Sequence, residues 1–287
     1  KLAQSQVKPA PAASDANFIR RLTLDLVGRI PTTAEVRAYI AATEPDKAAR
    51  LVERLMAAPG FVRHQVTEFE WLLNEGSSAS SSKGSSFRDY LTRAIGEDRR
   101  WDRVFKEVIT GDTATPETKG ADAFLRSRAK DLDKLVTDVS VRFFGVNISC
   151  AQCHDHPLVP AWKQDHYYGM KSFFNRTFEH GDFVAERDYG TISFKTTAGE
   201  TKQARLMFLS GDVVEEPPAP EPTEAQKKEE KKLLEESKKN KQPAPAPKFS
   251  RRAQLAETSL KPGHEGFFAR ALVNQVWHRL FGHGLVM

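Results

Sequence analysis

Apolar residues recur three and four positions apart along most of this chain, and a glycine or a proline closes most of the runs. A period near 3.6 gathers such residues on one face of a helix, so the pattern directs the chain to packed helices rather than to a large sheet. Phe18, Ile19, Leu22 and Leu26 share a face in a helix that opens near Asp15 and stops at Gly28. Thr32 and Glu35, just after Pro31, have the spacing of a capping box, in which each side chain satisfies an orphan amide. Asp46 opens a third helix with Leu51, Val52, Leu55 and Met56 in its stripe and Pro59-Gly60 at its end. Further helices are expected over about 61–74, from Phe87 through Ile95, and from Trp101 to the stop at Gly111. A long one follows over about 129–144, with Leu132, Leu135, Val136, Val139 and Phe143 inward, and shorter ones over about 164–175 and 266–281. Gly76–Ser86 has almost nothing to bury and reads as a mobile surface loop.

The fold class is therefore mainly α, a helical domain with a C-x-x-C-H loop, plus a small β-hairpin and a charged linker. The hairpin is expected where 191–197 and 203–209 flank Ala198-Gly199-Glu200. The linker is Glu215–Lys248, with proline clusters at both ends, whose centre at about Glu224–Lys239 can form a solvated helix through Glu–Lys pairs. The expected organisation is a leader arm over 1–14, the helical domain over 15–180 and the hairpin extension over 181–214. After the linker at 215–248 comes the start of a second, truncated helical domain over 249–287. With no basic-then-apolar stretch after Lys1, the chain reads as a mature product or a fragment.

Charge narrows the function. There are 43 Lys+Arg against 38 Asp+Glu, a net charge of +5. Eight acids and eight bases cancel inside Glu215–Lys248, and the remaining excess is spread without a basic run, so no nucleic-acid partner is expected. No window holds the ~20 apolar residues of a membrane span. Patterns of nucleophile elbows, zinc proteases and phosphate-binding loops are absent too.

The chain has two cysteines, Cys150 and Cys153, and both lie in Cys150-Ala151-Gln152-Cys153-His154. That C-x-x-C-H spacing suits covalent attachment of one c-type haem, with His154 as an iron ligand. Two other chemistries use the same residues. The pair could be a redox dithiol, although no βαβ unit precedes it. Cys150, Cys153, His154 and His156 could also bind zinc, although four ligands within seven residues are strained.

The stretch Phe143-Phe144-Gly145-Val146, then Cys150 through Pro157, then Gln164-Asp165-His166-Tyr167-Tyr168 resembles the planctomycete cytochrome-associated domain family. Phe18 through Leu22, Asp25 through Gly28, Pro31-Thr32 and Asp46 through Leu55 resemble the opening of the same domain. Residues 268–277 and 281–286 resemble the first helix of its usual companion domain. The resemblance implies export to the periplasm, cell envelope or extracellular space, and strengthens the expectation of haem. It supplies no substrate, because these domains are of otherwise unknown function. Many members carry a His-Trp pair in the fourth helix where this chain has Glu68-Phe69, so no distal role transfers to that position.

The remaining candidates come from spacing. His166 and Met170 are four apart, and either could supply the sixth ligand. His156 sits too close to His154 to reach the opposite haem face and is expected to bond a propionate or the loop backbone. Asp155 could accept a ring proton, and Tyr167 and Tyr168 could line the haem edge. The functional expectation is an exported c-type haem module for electron transfer or redox sensing within a larger cell-envelope protein. Its partners would be a redox protein and other cell-envelope proteins. The alternative is a structural or interaction protein in which the haem or cysteine pair only stabilises the fold.

Overall fold

Twelve α-helices and three two-stranded antiparallel hairpins appear in the computed structural model, which describes residues 11–74, 83–218 and 220–286. They group into two compact units, Lys1–Phe69 and Glu70–Met287. Among the described residues no helix is long and apolar enough to cross a membrane. Most of the leader arm and residues 76–82 of the expected serine-rich loop lie outside the described residues.

The first unit holds α1 (Asp15–Val27), α2 (Thr33–Ala41), α3 (Lys47–Met56) and most of α4 (Pro59–Asn74). Ile19, Tyr39, Leu51 and Leu55 form its core, with Phe18, Leu22 and Leu26 packed around them. The capping box forms as the spacing predicts. The Thr32 amide donates to Glu35 Oε2 at 2.7 Å, and the Glu35 amide donates to Thr32 Oγ1 at 3.3 Å. Bonds from Arg29, with those from Thr32, hold the Glu35 carboxyl down to about 2. Pro59 opens α4 instead of merely ending α3, because a first-turn position needs no N–H.

In the second unit, α5 (Lys83–Gly96) takes in the last four residues of the expected loop. It is followed by α6 (Trp101–Thr110), α7 (Ala123–Arg126) and α8 (Leu132–Phe144). Helix α8 starts later than the apolar pattern suggests because Asp131 is extended and accepts from the Lys134 amide at 2.9 Å. A 3-10 turn (Ser149–Gln152) leads to α9 (Gln164–Ser172). Then come β1 (Thr177–His180), β2 (Phe183–Glu186), β3 (Ser193–Lys195), β4 (Thr201–Gln203), β5 (Leu206–Met207) and β6 (Val213–Val214). The expected single hairpin is thus corrected to three. Of the expected strands only Ser193–Lys195 and Gln203 pair across the turn, with Thr201 and Lys202 drawn into β4, while Leu206 and Met207 turn away to pair with Val214 and Val213. β1 and β2 pair with His180 opposite Phe183.

Helix α10 (Glu224–Lys239) covers the residues where Glu–Lys pairing suggested a helix, and none of it is buried. α11 (Arg251–Ser259) and α12 (Glu265–Phe281) complete the unit. The segment 249–287, read from sequence as the start of a further domain, packs here with α11 on α6 and α12 on α8.

Phenylalanines build the core. The Phe105 ring lies 5.1 Å from Phe143, 5.7 Å from Phe144 and 4.9 Å from Phe268, joining α6, α8 and α12. Phe144 meets Phe208 at 5.3 Å beyond β5. Gly145 ends α8 at φ 67, a left-handed conformation that admits glycine at no steric cost. Beside this core lies Arg128, wholly buried. It donates to Asp138 at 2.6 Å, to the Phe124 carbonyl at 3.0 Å and to the Leu73 carbonyl at 2.8 Å. It therefore satisfies the C-terminal end of α4 while tying α7 to α8. Removing it strands Asp138 and those carbonyls, so Arg128→Ala is expected to cost about 3–5 kcal/mol. Urea unfolding should show a lower midpoint with an unchanged slope. Lys130→Ala, at a side chain 83% exposed in its ion pair, should change stability by less than about 0.5 kcal/mol.

Candidate functional site

The turn after α8 is where the two cysteines sit, and its shape follows from its neighbours. Asn147 opens it, accepting through Oδ1 from the Ser149 amide at 3.1 Å and hydroxyl at 2.7 Å. Ile148 and Ala151 are completely buried and pin the turn to the core. In 3-10 geometry residues three apart eclipse one another. Cys150 lies in the turn and Cys153 closes it, so the two project from one side, both as exposed free thiols.

Gln164, the first residue of α9, locks this turn from behind. Its amide nitrogen donates to the carbonyls of Gln152 and Lys195, each at 3.3 Å, and its oxygen accepts from the Thr197 amide at 3.1 Å. One buried side chain thereby bridges the cysteine turn to the β3–β4 hairpin. Gly169 lets α9 come close to β5. A Cβ there would lie 2.5 Å from Met207 Cβ.

The three histidines near the turn differ in what their rings can do. His154 is exposed, and its Nδ1 faces the Asp155 carbonyl at 2.7 Å. Nδ1 must therefore carry the proton, which leaves Nε2 with a free lone pair and, among the described residues, no hydrogen-bond partner. His156 is engaged on both sides. Nδ1 accepts from the amides of Leu158 at 3.2 Å and Val159 at 3.1 Å, so Nε2 donates to the Asn147 carbonyl at 3.1 Å. Its ring also meets Trp162 edge-on at 5.4 Å, and Trp162 Nε1 donates to the Leu209 carbonyl. His166 Nδ1 accepts from the Lys163 amide at 3.2 Å, and burial holds its pKa below the ordinary value.

The other predicted residues fall on the inner side of α9. Met170 is completely buried. Tyr167 is buried too, and its hydroxyl donates to Asp133 at 2.5 Å. Tyr168 stacks on Phe194 at 4.2 Å, and its pKa is raised by burial and then by the nearby Cys153. Asp155 accepts from Lys163 Nζ at 2.6 Å rather than from a histidine. Among the described residues no group of three or more His, Cys, Asp or Glu could hold a metal ion by itself, so the four-ligand zinc arrangement does not form. Sequence reasoning missed Gln164 and Asn147, whose partners lie up to 33 positions away.

The fold and this turn define a helical protein with an exposed dithiol beside a histidine that offers one unengaged ring nitrogen. Residues 1–179 match the PSCyt2 family, described as a protein of unknown function (DUF1549), and the chain belongs to that family. No curated protein and no solved structure matches the chain.

Two measurements check the turn. Gln164→Leu removes three bonds and leaves buried partners unmade, at an expected cost of about 1–3 kcal/mol, with the Thr197 amide exchanging faster. The second concerns Asp133. Burial raises its pKa, but the bonds from Lys171 and Tyr167 outweigh this and leave it below the usual carboxylate range. A depressed folded pKa stabilises fully above the unfolded value and is lost as pH falls through the folded one. Wild-type stability should therefore fall in acid more steeply than that of Asp133→Asn, measured by urea unfolding across the acid range.

Proposed function

We propose that the Cys150–His154 turn attaches one c-type haem, and that the protein is an exported module for electron transfer or redox sensing in the cell envelope. The observation that carries this reading is the division of labour among the histidines. His154 alone combines an outward nitrogen lone pair with a partner that fixes its tautomer, as an iron ligand requires. The thiols fit the same group: both are unpaired, exposed and on one side of a short rigid turn. Bound there, haem supplies a one-electron couple, while the protein sets its potential through ligand and burial.

The chain's own residues then take distinct parts. Cys150 and Cys153 would hold the group, and His154 would ligate its iron through Nε2. His156 holds the following loop through Asn147, Leu158 and Val159, and so acts on the position of the turn rather than on iron. Neither spacing-based candidate for a sixth ligand is ready for that role: His166 Nδ1 accepts from the Lys163 amide, so the ring proton sits on Nε2, and Met170 is closed inside the core. A redox protein of the same compartment is the partner this reading calls for.

Intact mass of protein matured in an export-competent host tests attachment. The expected mass is that of the polypeptide plus one haem, and the bare polypeptide mass would refute the reading. His154→Ala should change the iron's spin state, read by electron paramagnetic resonance. His156→Ala should leave the spin state and shift the potential only modestly. Equal perturbation by both would overturn the ligand assignment.

A further inference from the structure

A cavity of about 530 Å³, within the size range of small-molecule sites, lies between the β1–β2 hairpin and the 216–249 segment. It is a built space, because the segment is fastened across it at several points. The Glu216 carboxylate takes Arg251 at 2.6 and 3.0 Å and Arg176 at 2.7 Å. Ser237 bonds His180 at 2.9 Å, Tyr189 donates to Glu230 at 2.8 Å, and the Lys248 amide donates to Asp188 at 2.7 Å.

The lining has an unusual balance of donors and acceptors. Six prolines, Pro217, Pro218, Pro220, Pro222, Pro245 and Pro247, contribute carbonyl oxygens but no N–H groups. Phe178, Tyr189, Phe249 and Leu234 supply apolar surface. Glu186 and Glu216 are already consumed, the first by Ser250, the Arg251 amide and Arg252, the second by Arg176 and Arg251. Arg176 is consumed with them. That leaves the carboxylates of Asp188, Glu221, Glu229 and Glu230 against Arg187 and Lys248. Among the described residues neither Glu221 nor Glu229 has an ion-pair partner within 4 Å, and Glu230 is 3.9 Å from Arg187. Arg187 enters the aromatic wall, its guanidinium 4.5 Å from the Phe178 centroid and 5.9 Å from that of Tyr189.

The geometry points to a binding site for a small organic cation with an apolar body, an aryl- or alkylammonium compound, seated on Phe178 and Tyr189 with its charge toward Glu230. Arg187, Lys248 and the Gln226 amide are the side-chain donors left in the wall, so its excess of carboxylates and proline carbonyls disfavours phosphates, carboxylates and sulfonates, while aromatic faces and carboxylates stabilise a cation. In the unliganded protein Arg187 holds the position that such a cation would take. This site is separate from the cysteine turn and does not depend on haem.

The test compares a naphthylammonium fluorophore with the naphthalenesulfonate of the same ring system, titrated into the full chain at low ionic strength. The ammonium probe should bind saturably and the sulfonate should not. Arg187→Gln removes the competing cation and should tighten the ammonium probe by about 3- to 10-fold, whereas Glu230→Gln should weaken it by a similar factor. Glu230→Gln keeps the oxygen that accepts from Tyr189, so its effect reads charge rather than lost fastening. Leu234→Trp fills the space and should abolish binding, with thermal melts confirming that the variant folds. Equal binding of the two probes, no binding of either, or weaker ammonium binding in Arg187→Gln would overturn the assignment.

Discussion

Contact among the rings of Phe105, Phe143 and Phe144 is the interaction on which the second unit is built. Phe105 comes from α6, the other two from the last turn of α8, and Phe268 of α12 closes the cluster from the far side. Because Phe143 and Phe144 are fixed there, the end of α8 is fixed, and Gly145 can turn the chain sharply into Val146, Asn147 and the cysteine turn. Aromatic pairs of this kind add about 0.5–1.5 kcal/mol each beyond the area they bury. Their larger consequence here is positional: the turn starts from a point that cannot drift.

Local bonds then decide what the turn displays. Ile148 and Ala151 face inward, so the residues between and after them face outward. Gln164 holds the turn to β3–β4, and Asn147 serves both ends of the loop, bonding Ser149 through its side chain and His156 through its carbonyl. The outcome is chemical sorting of neighbours in one short stretch. His156 spends both nitrogens on the backbone, whereas His154 spends one and keeps the other. This asymmetry supports the proposed haem ligand better than the spacing of the cysteines alone.

The sequence was most legible where short-range chemistry rules. Thr32 with Glu35, and the stops at Gly28 and Gly111, mark helix ends because each cap acts within a turn of its own residue. It was least legible where long-range contacts override composition. Arg128 reads as a surface residue but is completely buried, because Asp138 and two carbonyls meet it from distant segments. Helix α11 reads as polar, since Arg251 and Arg252 are among its buried residues and Glu186 of β2 receives them. The β1–β2 hairpin was hidden for the same reason, as its inward Glu186 and His180 break an apolar alternation. At the candidate site the cysteines and His154 were visible as a pattern. The tautomers were not, because they are set by carbonyls and amides that no spacing rule contains.

The central claim is that this turn carries a covalent, redox-active haem. Its most direct test is the visible absorption spectrum of the purified exported protein, recorded oxidised and reduced and again after acidic-acetone extraction. The account predicts a haem spectrum that changes on reduction and stays with the polypeptide through extraction. A colourless protein, or one whose colour leaves with the solvent, would contradict it.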